Sequence, residues 1–148
     1  MLSLPNTEQK PLLLWFRKDL RLDDNHALNA ACASGSPVIP IYIREPGQDG
    51  LGPLGGAQRW WLHHSLSALQ MRLRSLGSEL ILESGDALMV LLALCEKTGA
   101  TAVHWNRRYE PAGMSVDTRV KEVLREHGIE ARSFAGQILH EPSRVMTG

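Results

Sequence analysis

Six charged residues follow directly on an apolar run near the start of the chain, within the segment LLLWFRKDLRLDDNHAL, Leu12–Leu28. The apolar run is Leu12–Phe16, and the charges come next: Arg17, Lys18, Asp19, Arg21, Asp23 and Asp24. Guanidinium and carboxylate groups interleaved in this way satisfy one another through charge-assisted hydrogen bonds. The segment contains no nucleophile paired with a base, so it predicts a rigid, charge-neutral corner and no catalytic centre. Asp24 or Asn25 is also suited to cap a following helix.

A second polar segment, NRRYEP, Asn106–Pro111, follows the apolar run Ala102–Trp105. It combines amide, guanidinium, phenol and carboxylate groups, and Pro111 is suited to the first turn of a helix. If the apolar run is a strand, these groups lie at its carboxyl end, where α/β proteins bind ligands. Two interpretations remain open: the wall of a ligand pocket, or helix capping combined with surface ion pairs.

The stretch GLGPLG, Gly50–Gly55, matches the glycine pattern of dinucleotide-binding loops. That fingerprint belongs at the first strand–helix turn, where a helix N-terminus meets the pyrophosphate. Here it starts seven residues after Ile43, where the second apolar run ends, and Pro53 interrupts it. A loop that leads into a helix is the better interpretation.

Two tryptophans and two histidines open a leucine-rich helical pattern, in the order Trp60, Trp61, His63 and His64. Trp61 continues an apolar stripe of leucines at three-to-four spacing, which predicts that it lies in the core. Trp60 lies off that stripe and is predicted to line a pocket or an interface. Adjacent histidines point in different directions on a helix, so they predict a surface pair and no metal site.

The composition describes an ordinary globular domain of 148 residues, in which sixteen basic and sixteen acidic residues cancel. A domain that grips nucleic acid electrostatically usually carries a basic excess, so strong DNA or RNA binding by this segment is not expected. Cys32 and Cys95 lie far apart in helical patterns and predict buried thiols in a reducing compartment. With no apolar leader, no membrane-length apolar run and no metal-ligand spacing, we expect a cytoplasmic protein without a membrane span or a metal.

Five short apolar runs alternate with four helical patterns along the chain. The runs are Leu12–Phe16, Val38–Ile43, Leu80–Glu83, Ala102–Trp105 and Ala131–Phe134. The helical patterns, each followed by a glycine as helix ends prefer, are Asn25–Ser34, Gly56–Leu76, Ala87–Thr98 and Pro111–His127. Strands that alternate with helices form right-handed βαβ units. The predicted fold class is therefore α/β: a doubly wound, Rossmann-like, five-stranded parallel sheet flanked by helices in a single domain.

The segment WFRKDLRLDDNHAL resembles the opening signature of the DNA photolyase and cryptochrome family. Nine positions match that signature: Trp15, Arg17, Asp19, Leu20, Arg21, Asp24, Asn25, Ala27 and Leu28. Three further segments resemble the family's second helix, its fourth-strand motif and the start of its interdomain linker: QRWWLHHSLSALQMRLRSLG, VHWNRRYEP and the terminal RVMTG. The resemblance covers essentially the whole chain.

The resemblance implies that residues 11–136 form the family's N-terminal α/β antenna domain, after a flexible N-terminus of residues 1–10. Residues 137–148 would begin the interdomain linker, and the helical FAD domain that follows in the family would be missing. The antenna domain can hold a light-harvesting chromophore: methenyltetrahydrofolate, an 8-hydroxy-deazaflavin or a flavin. On this resemblance we expect an antenna pocket that contacts Arg44, Asn106 or Glu110.

The same resemblance assigns no catalytic residue to this segment. In the family, FAD, the damaged DNA and the light-driven reaction belong to the helical domain. The charged corner after Phe16 and its neighbours are therefore expected to be scaffold. These signature residues are Arg17, Asp19, Arg21, Asp24, Asn25 and Tyr109.

The leading hypothesis is a light-harvesting domain of a deoxyribodipyrimidine photolyase, a carbon–carbon lyase that splits pyrimidine dimers in blue light. The domain alone is expected to be catalytically inactive. A cryptochrome-type photosensor is one alternative, and a free-standing nucleotide- or flavin-binding α/β module is another. Expected partners are the FAD domain of the same chain and, through the parent protein only, damaged DNA. For a bare domain, homodimerisation through exposed apolar surface is the alternative.

Overall fold

Strands and helices alternate through the whole described part of the chain. The computed structural model describes residues 10–17, 20–23, 25–45, 56–108 and 111–135. For residues 56–59 and 111–113 it describes the backbone only. Its elements are β1 Leu12–Phe16, α1 His26–Ala33, β2 Val38–Arg44, α2 Gly56–Ser75, β3 Ile81–Ser84, α3 Ala87–Thr98, β4 Ala102–Asn106, α4 Pro111–Glu126 and β5 Glu130–Phe134. The predicted boundaries differ from these by at most one residue at each end.

The five strands form one parallel sheet in the order β3-β2-β1-β4-β5. The chain builds outward from β1 in one direction and then returns to build outward in the other. In the centre, Leu13 lies opposite Ile39 of β2 and Val103 of β4. This order confirms the doubly wound α/β fold. It also places the topological switch point between β1 and β4, where such sheets open a crevice at the strands' carboxyl ends.

Helices cover both faces of the sheet, which explains why β1 is apolar and buried at every position. Successive side chains of a strand point to opposite faces. Leu13 and Trp15 pack in the cluster that includes Leu91 of α3 and Leu124 of α4. Leu14 and Phe16 pack in a second cluster, against α1 and α2. The core is therefore two apolar layers separated by the sheet.

Polar side chains and a glycine set the ends of the helices. The Asn25 side chain accepts a hydrogen bond from the Leu28 amide at 3.0 Å, and the Asp86 carboxylate accepts one from the Met89 amide at 3.0 Å. Both are N-caps that satisfy an otherwise unpaired amide of a first helical turn. Helix α3 ends at Gly99, whose φ of 78° is a left-handed conformation that glycine adopts at little cost. The prediction that Asp24 or Asn25 caps the helix after β1 is confirmed at Asn25.

The prediction that Trp61 lies in the core is wrong, because its side chain is 66% exposed. The buried leucines of α2, Leu69 and Leu73, lie in the second half of the helix. With 20 residues, α2 is about 30 Å long, whereas β3 with 4 residues spans about 13 Å. The first turns of α2 therefore extend beyond the sheet. Trp61 is also turned by about 80° from Leu69 and about 120° from Leu73 around the helix axis, so it lies on the exposed side of α2. Trp60 is also 66% exposed, and His63 and His64 are exposed as predicted.

The two cysteines differ in environment. Cys95 is buried in the layer under α3, and burial raises the pKa of its thiol to about 11. Cys32 is exposed, so the prediction of a buried thiol is wrong for it. Helix α1 packs on the sheet through Ala27 and Ala31, and the next residue, Cys32, points away from that face. Within the described part of the chain, none of the helices is long and apolar enough to cross a bilayer.

Candidate functional site

A buried ion pair lies at the switch point of the sheet. Arg17 directly follows β1, and its Nη1 donates a hydrogen bond to Oδ1 of Asp117 in α4. Their side chains are only 4% and 11% exposed. The guanidinium carbon of Arg17 also lies 4.4 Å from the centre of the Trp15 ring, which is a cation–π distance. This cluster joins the end of β1 to a helix 100 residues further along the chain.

The charges of this pair depend on each other. Burial lowers the pKa of Arg17, and the nearby Asp117 carboxylate opposes that shift. An arginine stays protonated in a folded protein, so a full positive charge lies inside the domain. Such a charge is stable only while its counter-charge is present. Asp117 therefore serves to hold Arg17, and with it the end of β1, in place.

Two buried asparagines connect β4 to the start of α1. Asn106 Nδ2 donates to Asn25 Oδ1 at 2.8 Å, and the amide of Ala27 donates to Asn106 Oδ1 at 3.0 Å. Asn25 Nδ2 donates in turn to the carbonyl of Arg21 at 2.9 Å. Both asparagines are at most 6% exposed. These bonds fix the loop after β1 against the carboxyl end of β4, which is a positioning role.

The charged segment after β1 is tied to other helices. Arg17 of this segment pairs with Asp117 of α4, and Asp23 forms an exposed ion pair at 3.2 Å with Arg72 of α2. Arg21 is exposed, and its carbonyl is the acceptor for Asn25. The prediction was of Arg and Asp groups that satisfy one another within the segment. The ion pairs that the structure describes for it reach α2 and α4.

Several predicted residues lie outside the described residues. They are Lys18, Asp19, Asp24, the GLGPLG stretch Gly50–Gly55, Tyr109, Glu110 and the terminal residues 137–148. The proposed scaffold role of Asp19, Asp24 and Tyr109 stays a prediction. The same holds for the contact of Glu110 with an antenna chromophore.

The sheet separates the other two predicted pocket residues. Arg44 is the exposed last residue of β2, and Asn106 is the buried last residue of β4. Strand β1 lies between them, so their backbones are two strand spacings, about 10 Å, apart. The amide of Asn106 is also engaged with α1. A joint contact of both side chains with one ligand stays a prediction.

A small cleft of about 70 Å³, open to solvent, lies on the face covered by α3 and α4. It begins where β2 ends and lies between the start of α3 and the middle of α4. It is lined by Glu45, Asp86, Ala87, Leu88, Ser115, Val116, Arg119 and Val120. These residues come from three separate segments and form no motif, so sequence reasoning did not find them. The signal that was available is positional, because Glu45 and Asp86 each follow a strand at its carboxyl end.

The lining of this cleft combines apolar, charged and hydroxyl groups. Leu88 and Val120 are buried and provide an apolar floor. Glu45 and Arg119 provide opposite charges at its rim, and Ser115 adds a hydroxyl group. Ligand pockets range from about 300 to 1,000 Å³, so this cleft is too small to enclose a ring system and offers only a contact surface for part of one. No histidine or cysteine among these lining residues activates Ser115, which favours binding over catalysis, and the described residues contain no cluster able to hold a metal ion.

A buried histidine on the other face of the sheet takes no part in this cleft. His104 of β4 is 2% exposed and packs edge-on against the Phe134 ring, with 5.3 Å between ring centres. Neither ring nitrogen has a hydrogen-bond partner among the described residues. Burial lowers the pKa of His104, and the charge of Arg132 lowers it further. The imidazole is therefore neutral in the folded domain near neutral pH.

We expect the stability of the domain to fall as the pH drops below about 6.5, the ordinary pKa of histidine. In that range the unfolded chain binds a proton at His104 that the folded chain does not, so acid favours unfolding. Above that pH the full stability is present. The variant His104→Leu should lose this component, which thermal melts between pH 7.5 and 5.5 would measure. If His104→Leu and the parent chain lose the same stability over that range, His104 is not the group responsible.

The fold defines a class of protein: a doubly wound α/β domain, here with a cleft at the carboxyl edge of its sheet. The family model of DNA photolyase matches residues 12–148. Because this match covers nearly all of the sequence, the chain belongs to the DNA photolyase family.

Curated relatives include both repair enzymes and photoreceptors. Deoxyribodipyrimidine photo-lyase of Agrobacterium fabrum is 58% identical over 137 residues, which are 93% of this chain and 28% of that protein. Cryptochrome-1 of Arabidopsis thaliana is 42% identical over 134 residues, which are 90% of this chain and 20% of that protein. The chain thus spans less than a third of the length of these relatives.

Solved structures match in fold as well as in sequence. A class III photolyase from Agrobacterium tumefaciens superimposes with a TM-score of 0.88 at 56% identity, covering 96% of this chain and 29% of that one. An archaeal photolyase from Sulfolobus tokodaii, solved with two FAD molecules, superimposes with a TM-score of 0.82 at 31% identity. The superposition covers 93% of this chain and 32% of the archaeal chain. That structure was described as implying a novel light-harvesting cofactor.

Proposed function

We propose that this chain is the light-harvesting domain of a deoxyribodipyrimidine photolyase that splits pyrimidine dimers in blue light. The match to the DNA photolyase family over residues 12–148, with 58% identity to a deoxyribodipyrimidine photo-lyase, carries the proposal, and the cleft between α3 and α4 is the candidate site for the chromophore. In the proposed protein, FAD and the damaged DNA bind to a domain that follows in the same chain, and the protein acts in the cytoplasm. The α/β domain alone is catalytically inactive.

The groups that line the cleft match the chromophores of this class in their chemistry. Folates, deazaflavins and flavins each have a planar ring system with N–H groups and carbonyls on its edge. Leu88 and Val120 would contact the ring face, and the Glu45 carboxylate would accept hydrogen bonds from ring N–H groups. Arg119 would bind an acidic tail or a phosphate. When bound, the chromophore supplies absorption of light, and the domain positions it and limits its contact with water.

The balanced charge of the chain supports this division of labour. Sixteen basic and sixteen acidic residues leave no excess positive charge to attract a phosphate backbone. The buried cation, Arg17, is held by Asp117 inside the domain. DNA contact by the longer protein is therefore proposed to reside outside this segment.

Titration of the chain with methenyltetrahydrofolate, 8-hydroxy-5-deazaflavin and FMN tests chromophore binding. We expect one of them to show a saturable absorption shift or a change in fluorescence. If all three leave the spectra unchanged at millimolar concentration, this domain has no antenna site of its own.

Two substitutions locate the binding site. Glu45→Gln and Arg119→Gln should each weaken binding of the chromophore by about tenfold, which corresponds to loss of one charge-assisted hydrogen bond. Arg74→Gln is the matched control, because Arg74 is an exposed arginine of α2 whose partner is Glu79. Equal affinities for all three variants and the parent chain would place the chromophore elsewhere.

A cryptochrome-type photosensor is the second candidate function. It is favoured by the 42% identity to Cryptochrome-1 of Arabidopsis thaliana over most of this chain. The two functions differ in the reaction, since a photosensor signals and a photolyase repairs DNA. Repair of pyrimidine dimers in blue light by the protein made from the natural reading frame distinguishes them. Absence of repair, with flavin bound and reduced, would favour the photosensor.

A further inference from the structure

The solvent-facing side of α2 lacks charge over three helical turns. The twelve residues Trp60–Met71 contain no Asp, Glu, Lys or Arg, although 22% of the whole chain is charged. Exposed helix surface is normally rich in charged side chains. Here Trp60 and Trp61 are each 66% exposed, and Met71 is 71% exposed. This surface therefore has the composition of an interface and not of a solvated face.

These side chains form one continuous stripe along the helix. We call it the outer face of α2, and it consists of Trp60, Trp61, His64, Ala68 and Met71. Their spacings of three, four and seven residues bring them to one side of an α-helix, while Leu69 and Leu73 face the core. The Trp60 ring stacks on the His64 ring with 4.7 Å between centres and 14° between planes. That stacking holds the indole in place before any partner arrives, which lowers the entropy cost of binding.

The outer face has the features of the centre of a protein–protein interface. Interface cores are depleted in charged residues and enriched in tryptophan and methionine, and tryptophans often carry much of the binding energy. The small residues Ser67 and Ala68 lie in the middle of the exposed side, which allows close approach of a partner backbone. Two exposed tryptophans in water are also a cost that a partner would relieve.

The position of the outer face indicates which partner covers it. All five strands are parallel, so Phe134 at the end of β5 lies at the carboxyl edge of the sheet. Helix α2 follows β2, so its first turns, with Trp60 and Trp61, start at that same edge. The sheet of five strands is about 20 Å wide, and residues 136–148 could span about 45 Å when extended. Whatever follows residue 148 can therefore reach the outer face of α2.

We propose that the outer face of α2 packs against an apolar surface of the polypeptide that follows residue 148 in the longer protein. The curated relatives are more than three times as long as this chain, which provides the partner in the same polypeptide. The inference rests on the proposed function only in requiring that longer chain. It is independent of chromophore binding, because the cleft lies on the opposite face of the sheet, among residues of α3 and α4.

Hydroxyl-radical footprinting, read by mass spectrometry peptide by peptide, tests this proposal. Chain 1–148 is compared with the protein made from the natural reading frame. Oxidation of Trp60 and Trp61 should fall by about threefold or more in the longer protein, because side chains at an interface core are almost completely buried. Met89 of α3, which is 65% exposed on the other face of the sheet, serves as the matched control and should be oxidised equally in both.

The variant Ala68→Arg places a charge in the middle of the outer face. Arginine is a good helix former and position 68 is exposed, so the melting temperature of chain 1–148 should not change. In the longer protein the variant should restore oxidation of Trp60 and Trp61. Equal oxidation in the short and long proteins would overturn the proposal, as would a reading frame that ends at Gly148. Protection in chain 1–148 that disappears on dilution would also overturn it, since it would identify a second copy as the partner.

Discussion

Asp117→Ala should destabilise the domain by about 3–5 kcal/mol, because it leaves the Arg17 charge buried without a counter-charge. For a chain of this length that loss corresponds to a fall in melting temperature of about 10 °C or more. Arg17→Ala should have an effect of the same direction. Urea unfolding followed by circular dichroism measures the change in the free energy of unfolding.

A double variant separates the ion pair from the packing around it. Arg17→Met combined with Asp117→Leu removes both charges, and it should recover much of the stability that Asp117→Ala loses. The exposed pair of Asp23 and Arg72 is the control, and Asp23→Ala should change stability by no more than about 0.5 kcal/mol. If Asp117→Ala proves as mild as Asp23→Ala, the pair does not hold β1 and α4 together. Loss of light-driven repair by Arg17→Ala in the longer protein, with stability unchanged, would give Arg17 a functional role in place of a scaffold role.

Asn106→Leu should destabilise the domain by about 2–4 kcal/mol. It removes the hydrogen bonds to Asn25 and to the Ala27 amide, and it leaves that amide without its acceptor. The chromophore affinity of the fraction that remains folded should change little, since the side chain points at α1. Chemical unfolding and chromophore titration of the same preparation measure both quantities.

Asn29→Ala is the matched control for this substitution. Asn29 is an exposed residue of the same helix α1, and its replacement should change stability by no more than about 0.5 kcal/mol. If Asn106→Leu leaves the free energy of unfolding unchanged but abolishes chromophore binding, Asn106 contacts the chromophore, as the sequence predicted.

The fold was predictable from the sequence because its signals are local. Leu12–Phe16 is apolar at every position since helices cover both faces of the sheet, and that pattern is readable without a structure. The caps at Asn25 and Asp86 and the stop at Gly99 depend on a few neighbouring residues. Strand order is less local, but the rule of right-handed crossovers left few alternatives.

The errors arose where the outcome depends on distant parts of the chain. Trp61 lies about 80° from Leu69 and about 120° from Leu73 around the helix axis, and α2 is longer than the strands it covers, so the buried face of α2 does not reach it. Cys32 follows Ala31 in a helix that uses only a narrow alanine face, so one residue of offset moves it to the surface. In both cases the period was read correctly and the extent of the buried face was not.

The sequence pointed to a pocket at Arg44, Asn106 or Glu110, and the described lining of the cleft includes neither Arg44 nor Asn106. The loops at the carboxyl ends of the strands were expected to hold it, and Glu45 and Asp86 lie there. The sequence could not identify Ser115, Asp117 and Arg119 as site residues. They belong to α4, and only the folded chain brings them close to residues of other segments. Sequence spacing cannot pair Arg17 with a carboxylate 100 residues away.

The wavelength dependence of repair by the protein from the natural reading frame tests the central claim most directly. A DNA oligonucleotide with one pyrimidine dimer is irradiated across the near-ultraviolet and blue range, with and without the chromophore that binds the cleft. The account predicts repair that requires light and that has a second maximum at the absorption band of the chromophore. The substitution Arg119→Gln should remove this second maximum. Repair whose wavelength dependence follows flavin alone while the chromophore is bound, or no repair at any wavelength, would contradict it.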